Sequence, residues 1–145
     1  GKSKTKETTS KKNKKLEEVI AQKRIKLFEF SCPKSGSLSI ETATGDCYVA
    51  IDTNLTPEQE LVCTAHEVGH CVLGAFYNRH SPFNVVSKLE SRANHWAINA
   101  LIPENELVKA FERAITEIWE LAEFFGVTEN FMIQVCIYYG YYHKA

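Results

Sequence analysis

Apolar positions along the chain predict a mainly helical domain with one small β element. Over residues 15–30, leucine, valine and isoleucine side chains recur at helical spacing, which predicts a single amphipathic helix. Over residues 38–51, apolar and polar residues alternate on both sides of a Thr-Gly-Asp turn at 44–46, as in a two-stranded hairpin. The predicted fold class is mainly α with a small β-hairpin, an α+β domain.

Start and stop signals divide the rest of the chain into five further helices. Residues 56–59 combine an N-cap threonine, a first-turn proline and a capping-box glutamine, so a helix should run from about residue 57 past His70. The next predicted helix covers residues 87–102 and ends at Pro103, whose ring cannot continue it. Three more helices follow, the last two closed by glycines, over residues 104–115, 116–126 and 128–140.

The stretch "TAHEVGHCVLG", residues 64–74, gives the clearest chemical signal. His66 and His70 stand four apart on a predicted helix and share one face, so both imidazoles can bind one ion. Glu67 is rotated about 100° from His66 and can reach a water on that ion. We predict one zinc per chain bound by His66 and His70, with Glu67 as the catalytic base. The alternative is two ordinary histidines on a packed helix.

A third zinc ligand has to come from outside this motif, because catalytic zinc sites usually have three protein ligands. The metzincin extension would need Gly and His at positions where this chain has Leu73 and Phe76. Glu90 is the predicted ligand. It lies on one helical stripe with Ala93 and Ala97, whose small side chains allow close packing, and we expect this helix to lie antiparallel to the histidine helix.

Two alternatives to this role for Glu90 stay open. Ser87 and Glu90 also form a capping-box pattern, so Glu90 can simply cap its own helix. A helix start at Ser81–Pro82 would instead leave Glu90 well inside the helix and free to bind metal. His80 and His95 are the rival ligands, although His95 should face away from the Glu90 side of the helix.

Three residues near the predicted centre are candidates for supporting roles. Asn94 follows Glu90 by one turn and can hydrogen-bond a ligand from behind, although helix packing would explain it equally well. Tyr77 and His80 come soon after the histidine helix. Either side chain can donate to the oxyanion that forms during amide hydrolysis, and the sequence does not choose between them.

The five cysteines are an odd number and include no C-x-x-C pair. This pattern argues against a disulfide framework and against a cysteine-based zinc site, and it fits a reducing, cytoplasmic compartment. We expect Cys63 and Cys71 to be small core residues. The sequence shows neither a secretory signal nor an apolar run long enough to span a membrane.

Charge separates the first residues from the rest. Residues 1–15 hold seven lysines and one glutamate, a net charge of +6 in a chain whose total is −1. We predict a disordered basic tail over 1–15 and one folded domain over 16–145. The tail can serve solubility alone, or it can contact nucleic acid or an acidic partner.

Two stretches of this sequence together resemble the ImmA/IrrE family of zinc metallo-endopeptidases. "TAHEVGHCVLG" supplies H-E-x-x-H, and "ESRANHWAINALIP" supplies the E-x-x-A-N motif and its terminal proline. The resemblance covers roughly residues 15–140 and implies a zincin-like single domain. It also implies that His66, His70 and Glu90 bind zinc and that Glu67 acts as base. The positions that fill the second motif are Glu90, Ala93, Asn94, Trp96, Ala97, Leu101 and Pro103.

The resemblance also implies a partner class. Family members of phages and mobile elements cleave a helix-turn-helix repressor, a DNA-binding protein, and thereby relieve repression. One alternative is a non-catalytic antirepressor that contains zinc and acts by binding alone. A second is DNA binding through the helices at 116–140, but residues 115–143 contain no lysine or arginine, so we expect no sequence-specific nucleic-acid binding.

Overall fold

The computed structural model describes residues 13–31 and 36–141. Within them, six helices and three strands follow one another as α1 (Lys14–Gln22), β1 (Lys26–Phe30), β2 (Ser37–Glu41), β3 (Cys47–Asp52), α2 (Pro57–Leu73), α3 (Phe83–Leu101), α4 (Glu104–Glu112), α5 (Ile118–Phe125) and α6 (Glu129–Tyr139). The prediction of a mainly helical α+β domain is confirmed. The basic tail lies outside the described residues up to position 12, and Lys14 and Lys15 already belong to α1.

The prediction of one helix over residues 15–30 is wrong in its second half. The Asn13 side chain accepts a hydrogen bond from the Leu16 amide and starts α1, which ends at Gln22. Arg24 then adopts a left-handed backbone conformation, with φ at 54°, and breaks the helix. The following residues form β1, because β3 supplies backbone partners that a local pattern cannot show.

The three strands form one mixed sheet in the order β1-β3-β2. The predicted hairpin is confirmed as the antiparallel pair β2 and β3, in which Leu38 lies opposite Ala50. The parallel partner β1 is the strand that sequence analysis missed. Val49 and Ile51 of the central strand are buried in the core, so the helices pack against this face of the sheet.

Helix α2 begins as its sequence signals predict. The Thr56 hydroxyl accepts from the Gln59 amide, and the Gln59 side chain accepts from the Thr56 amide, which completes the capping box. The helix runs for 17 residues and ends at Gly74, whose φ of 63° is the left-handed conformation that glycine adopts without strain. Both predicted zinc-binding histidines therefore lie on one regular helix.

Close packing of α2 against α3 depends on three small residues. A Cβ atom added at Gly69 would lie 2.8 Å from the Ala93 carbonyl oxygen, so the two backbones are in contact there. Ala93 and Ala97 are fully buried in the same interface. Helix α3 begins at Phe83, immediately after Pro82. The start near Ser81–Pro82 is thus the one that forms, and Glu90 lies two turns inside the helix.

The last two helices complete the core. Both end at a glycine in the left-handed conformation, Gly126 and Gly140, as expected. Their inward faces include Leu121, Phe131, Met132 and Val135. Among the described residues, no helix is both long and apolar enough to cross a membrane.

The cysteine pattern argued against a disulfide framework, but the described residues include one disulfide. Cys47 of β3 and Cys71 of α2 form a disulfide, with their Cα atoms 5.9 Å apart. Cys71 is therefore not a free core residue, whereas the half-buried Cys63 is free, as is the buried Cys136. The pairing joins elements that are 24 residues apart and meet only in the folded chain, so the spacing of cysteines could not reveal it.

Candidate metal centre

Two imidazoles and one carboxylate converge between α2 and α3. His66 Nε2 lies 2.8 Å from Glu90 Oε1, and His70 Nε2 lies 2.9 Å from Glu90 Oε2. The three side chains offer ligand atoms that all lie within 4.8 Å of one another. This geometry lets one metal ion contact all three residues.

Helix α3 delivers the carboxylate because its backbone approaches α2 so closely at Gly69. The capping role considered for Glu90 is wrong, since α3 has started at Phe83 and has no side-chain cap on its first turn. The side chain instead crosses to the two histidines of α2. Local helix periodicity and small-residue packing are thus enough to assemble all three ligand atoms.

A backbone carbonyl fixes which ring nitrogen of His70 donates a hydrogen bond. Its Nδ1 lies 2.5 Å from the Ala75 carbonyl oxygen, which can only accept, so Nδ1 carries the proton and donates it. The other ring nitrogen, Nε2, faces Glu90 Oε2 at 2.9 Å. Nε2 is therefore the ring nitrogen that is left to bind a metal ion.

This set of donors fits zinc. Two imidazole nitrogens and one carboxylate oxygen are a ligand combination that catalytic zinc sites use, and a histidine held through its other nitrogen is the usual arrangement around such an ion. His70 is buried and His66 is half-buried, so the site has one side closed by protein and one side facing the cleft. The open side leaves room for the fourth position that a catalytic zinc requires.

Electrostatics keep the Glu90 carboxylate ionised. Burial raises its pKa, but hydrogen bonds with Tyr77 and His66 and the nearby histidine charges together lower it below the usual value. The Tyr77 hydroxyl donates to Glu90 Oε2 at 2.6 Å, and this bond is the main reason that the pKa of Tyr77 rises to about 12. Tyr77 therefore stays protonated as a donor at the rim of the cleft.

The Glu67 carboxylate lies beside this group on α2 and is almost completely buried. The Ser37 hydroxyl donates to Glu67 Oε2 at 2.7 Å. Burial raises the pKa of the neighbouring Cys63 thiol, although a hydrogen bond with Ser37 opposes the rise. The thiol therefore stays protonated near neutral pH, and Glu67 is the carboxylate that lines the cleft beside the three converging side chains.

These residues line a cleft of about 390 Å³. Strand β2 forms one wall, and the turn after α2 forms the other. The size suits a peptide segment or a small ligand. The lining residues are Ser37, Leu38, Ser39, His66, Glu67, His70, Ala75, Phe76, Tyr77 and Glu90.

The remaining predicted site residues lie elsewhere. The Asn94 amide donates to Gln134 Oε1 at 2.6 Å, so this hydrogen bond joins α3 to α6. His80 is exposed on the loop before α3 and is not among the residues that line the cleft. His95 packs its ring on Tyr138, 4.6 Å between centroids. Of the two oxyanion candidates, only Tyr77 lies at the cleft.

Sequence analysis missed Ser37 and Ala75. Both contact a site residue, one through its hydroxyl and the other through its carbonyl oxygen. Neither belongs to a recognisable motif, because the contacts depend on where β2 and the turn after Gly74 come to lie. The left-handed glycine at the end of α2 was the one available signal that the chain turns back there.

Comparison with known proteins gives one result that covers most of the chain. The model of a family described as Peptidase_M78, IrrE N-terminal-like domain, matches residues 20–135. The matched range contains the whole of α2 and α3 and every residue that lines the cleft. No curated protein shows a significant match to the chain.

Proposed function

The chain belongs to the Peptidase_M78 family of IrrE N-terminal-like domains, and from this premise we propose that it is a zinc-dependent endopeptidase. The observation that supports this most directly is the convergence of His66, His70 and Glu90 beside the Glu67 carboxylate in one cleft. Three ligands and a separate carboxylate are the parts that zinc-assisted hydrolysis of an amide needs.

In the proposed reaction each residue has one task. His66, His70 and Glu90 would hold a zinc ion, which when bound polarises the scissile carbonyl and lowers the pKa of a water molecule. Glu67 takes the proton of the attacking water on its carboxylate. It then returns the proton to the leaving amine, so one group acts first as base and then as acid.

Tyr77 is the proposed donor to the oxyanion. Its hydroxyl is protonated and lies at the rim of the cleft within 2.6 Å of a ligand carboxylate oxygen. Rotation toward the cleft would aim the same hydroxyl at a substrate carbonyl. His80 is exposed and outside the cleft, which is why we assign the role to Tyr77.

We further propose that the substrate is a helix-turn-helix repressor and that cleavage relieves repression. The support is the resemblance to family members of phages and mobile elements. The surface charge favours action on a protein over competition for its operator, because exposed glutamates on α5 and α6 repel a phosphate backbone. These are Glu123 and Glu129.

The proposal is tested with the repressor encoded beside the gene of this chain. The zinc-loaded protein and its Glu67→Gln variant are incubated with the repressor, and intact repressor is followed on gels. We expect Glu67→Gln to keep zinc and fold but to cleave about 10²- to 10⁴-fold more slowly, the usual contribution of a general base. Glu112→Gln, an exposed glutamate on α4, is the matched control and should cleave normally.

The same experiment separates catalysis from binding. Operator-controlled transcription is measured in cells that contain either form of the protein. If Glu67→Gln derepresses as strongly as the unmutated chain, the zinc endopeptidase proposal fails and the protein acts as a binding antirepressor.

A further inference from the structure

The backbone of Ser37 is held by the sheet, whereas the site lies on the helix pair α2–α3. Ser37 is the first residue of β2 and lies opposite Ile51 of the central strand. The carbonyl of the preceding residue, Gly36, accepts from the Asp52 amide at 2.9 Å. Backbone pairing therefore holds the main chain of Ser37 independently of its side-chain contact with α2.

From this fixed position Ser37 reaches across to α2. Its hydroxyl donates to Glu67 Oε2 at 2.7 Å, the length of a strong hydrogen bond to a carboxylate. Apart from this hydrogen bond, the Glu67 carboxylate is held only by its own side chain, which has several rotatable bonds. With Oε2 held, Oε1 is the oxygen that remains to exchange a proton in the cleft.

We propose that Ser37 is a positioning residue for the proton transfers of Glu67. It holds the carboxylate in one orientation, with Oε1 toward the cleft, while α2 holds the metal ligands. The inference rests on the proposed function, in which Glu67 is the base. It adds that a residue from the edge strand, far from the H-E-x-x-H motif in sequence, sets the rate of the same step.

The neighbouring serine shows that the contact is selective. Ser39 lies two residues along β2, on the same side of the strand, and also lines the cleft. Within the described part of the chain, the Glu67 carboxylate is hydrogen-bonded by Ser37 and by no other side chain. Proximity to the cleft is therefore not enough, and the hydroxyl at position 37 is the one to change.

The test compares Ser37→Val with Ser37→Thr in the zinc-loaded full chain. Threonine keeps the hydroxyl and valine has the same shape without it, so any steric effect is common to both. With the repressor that the unmutated protein cleaves, we expect kcat to fall about 10- to 100-fold in Ser37→Val, and Ser37→Thr to restore most of it. KM should stay within about twofold of the original value in both variants, because the Ser37 hydroxyl is bonded to Glu67 and not offered to the substrate.

Two substrate-free measurements accompany the kinetics. Zinc content should stay at one per chain in both variants, since neither change touches a ligand. Crystal structures of the zinc-loaded variants should show Glu67 in the original orientation in Ser37→Thr and in more than one orientation in Ser37→Val.

The possible outcomes separate the two proposals. Equal kcat values for Ser37→Val and Ser37→Thr would overturn the positioning role. A loss of kcat/KM in Ser37→Val that comes only from a higher KM would overturn it as well. If the unmutated protein cleaves nothing, the proposed function fails instead. The crystallographic comparison then still decides whether Ser37 orients Glu67, and an unchanged Glu67 in Ser37→Val overturns that claim.

Discussion

The helix pair α2–α3 and the sheet wall of the same cleft are built in different ways. The helix pair takes its geometry from local signals: a capping box, a four-residue histidine spacing, and a stripe of small residues that lets two backbones touch. The sheet wall depends on pairing between strands that are distant in sequence, and on a disulfide that ties β3 to α2. The three residues of the candidate metal site come from the first region, whereas the contact that holds Glu67 comes from the second.

Removing both histidines should have the largest effect on the helix pair, because it should abolish zinc binding. We expect the double variant His66→Ala, His70→Ala to fall from about one zinc per chain to none, because only one ligand would remain. Elemental analysis of the purified protein gives the answer. His80→Ala and His95→Ala are the matched controls and should keep full occupancy. Retained zinc in the double variant would show that the ion binds elsewhere.

Glu90→Ala sharpens the assignment within the helix pair. The carboxylate contacts both histidines, so its loss should weaken zinc binding sharply while α3 stays folded. A residue that only capped its helix would instead cost about 1 kcal/mol of stability with zinc retained. Competition with a chelator measures the affinity, and circular dichroism monitors the helix. An unchanged affinity would remove Glu90 from the site.

Reduction of the Cys47–Cys71 disulfide tests the attachment of the sheet to the helix pair. Opening a loop whose ends are 24 residues apart should lower the free energy of unfolding by about 3 kcal/mol. Urea unfolding with and without a reductant measures this difference. The double variant Cys47→Ser, Cys71→Ser is the control, since a reductant should leave its stability unchanged. An equal midpoint for the oxidised and reduced unmutated chain would contradict the expectation.

Gly69→Ala is the smallest change and tests the closest contact of the helix pair. Alanine in place of glycine stabilises an ordinary helix by up to about 1 kcal/mol. At Gly69 the new Cβ would lie 2.8 Å from the Ala93 carbonyl oxygen, so the helices must separate. We expect destabilisation of about 1–3 kcal/mol, together with weaker zinc binding as Glu90 is displaced. A stabilised variant would mean that the two backbones are farther apart than described.

The same contrast explains how much the sequence could predict. The bounds of α2 and the presence of His66, His70 and Glu90 on facing helices follow from signals within a few residues of each. Strand β1 was mistaken for the end of a helix, because Leu27 continues the apolar spacing of α1 and only pairing with β3 changes its structure. Helix α3 was predicted to start four residues too late, since Ser87 offers a cap that the chain does not use.

Contacts that cross between elements were outside the reach of the sequence. Ser37 and Glu67 are 30 residues apart, and the serine has no neighbour that marks it as part of a site. The partner of Cys71 is on a strand whose register is set by the whole sheet. Such contacts are fixed by tertiary packing, which composition and periodicity do not encode.

The bond between His70 and the Ala75 carbonyl has a consequence for where this chain can change in length. The same glycine turn that ends α2 also brings that carbonyl back onto the imidazole, so the helix end and the ligand orientation form one unit. An inserted or deleted residue between 70 and 75 would turn the carbonyl away and release the ring. The exposed segment at 78–80 makes no contact that orients His70. Relatives should therefore keep the first interval constant and vary in length at the second.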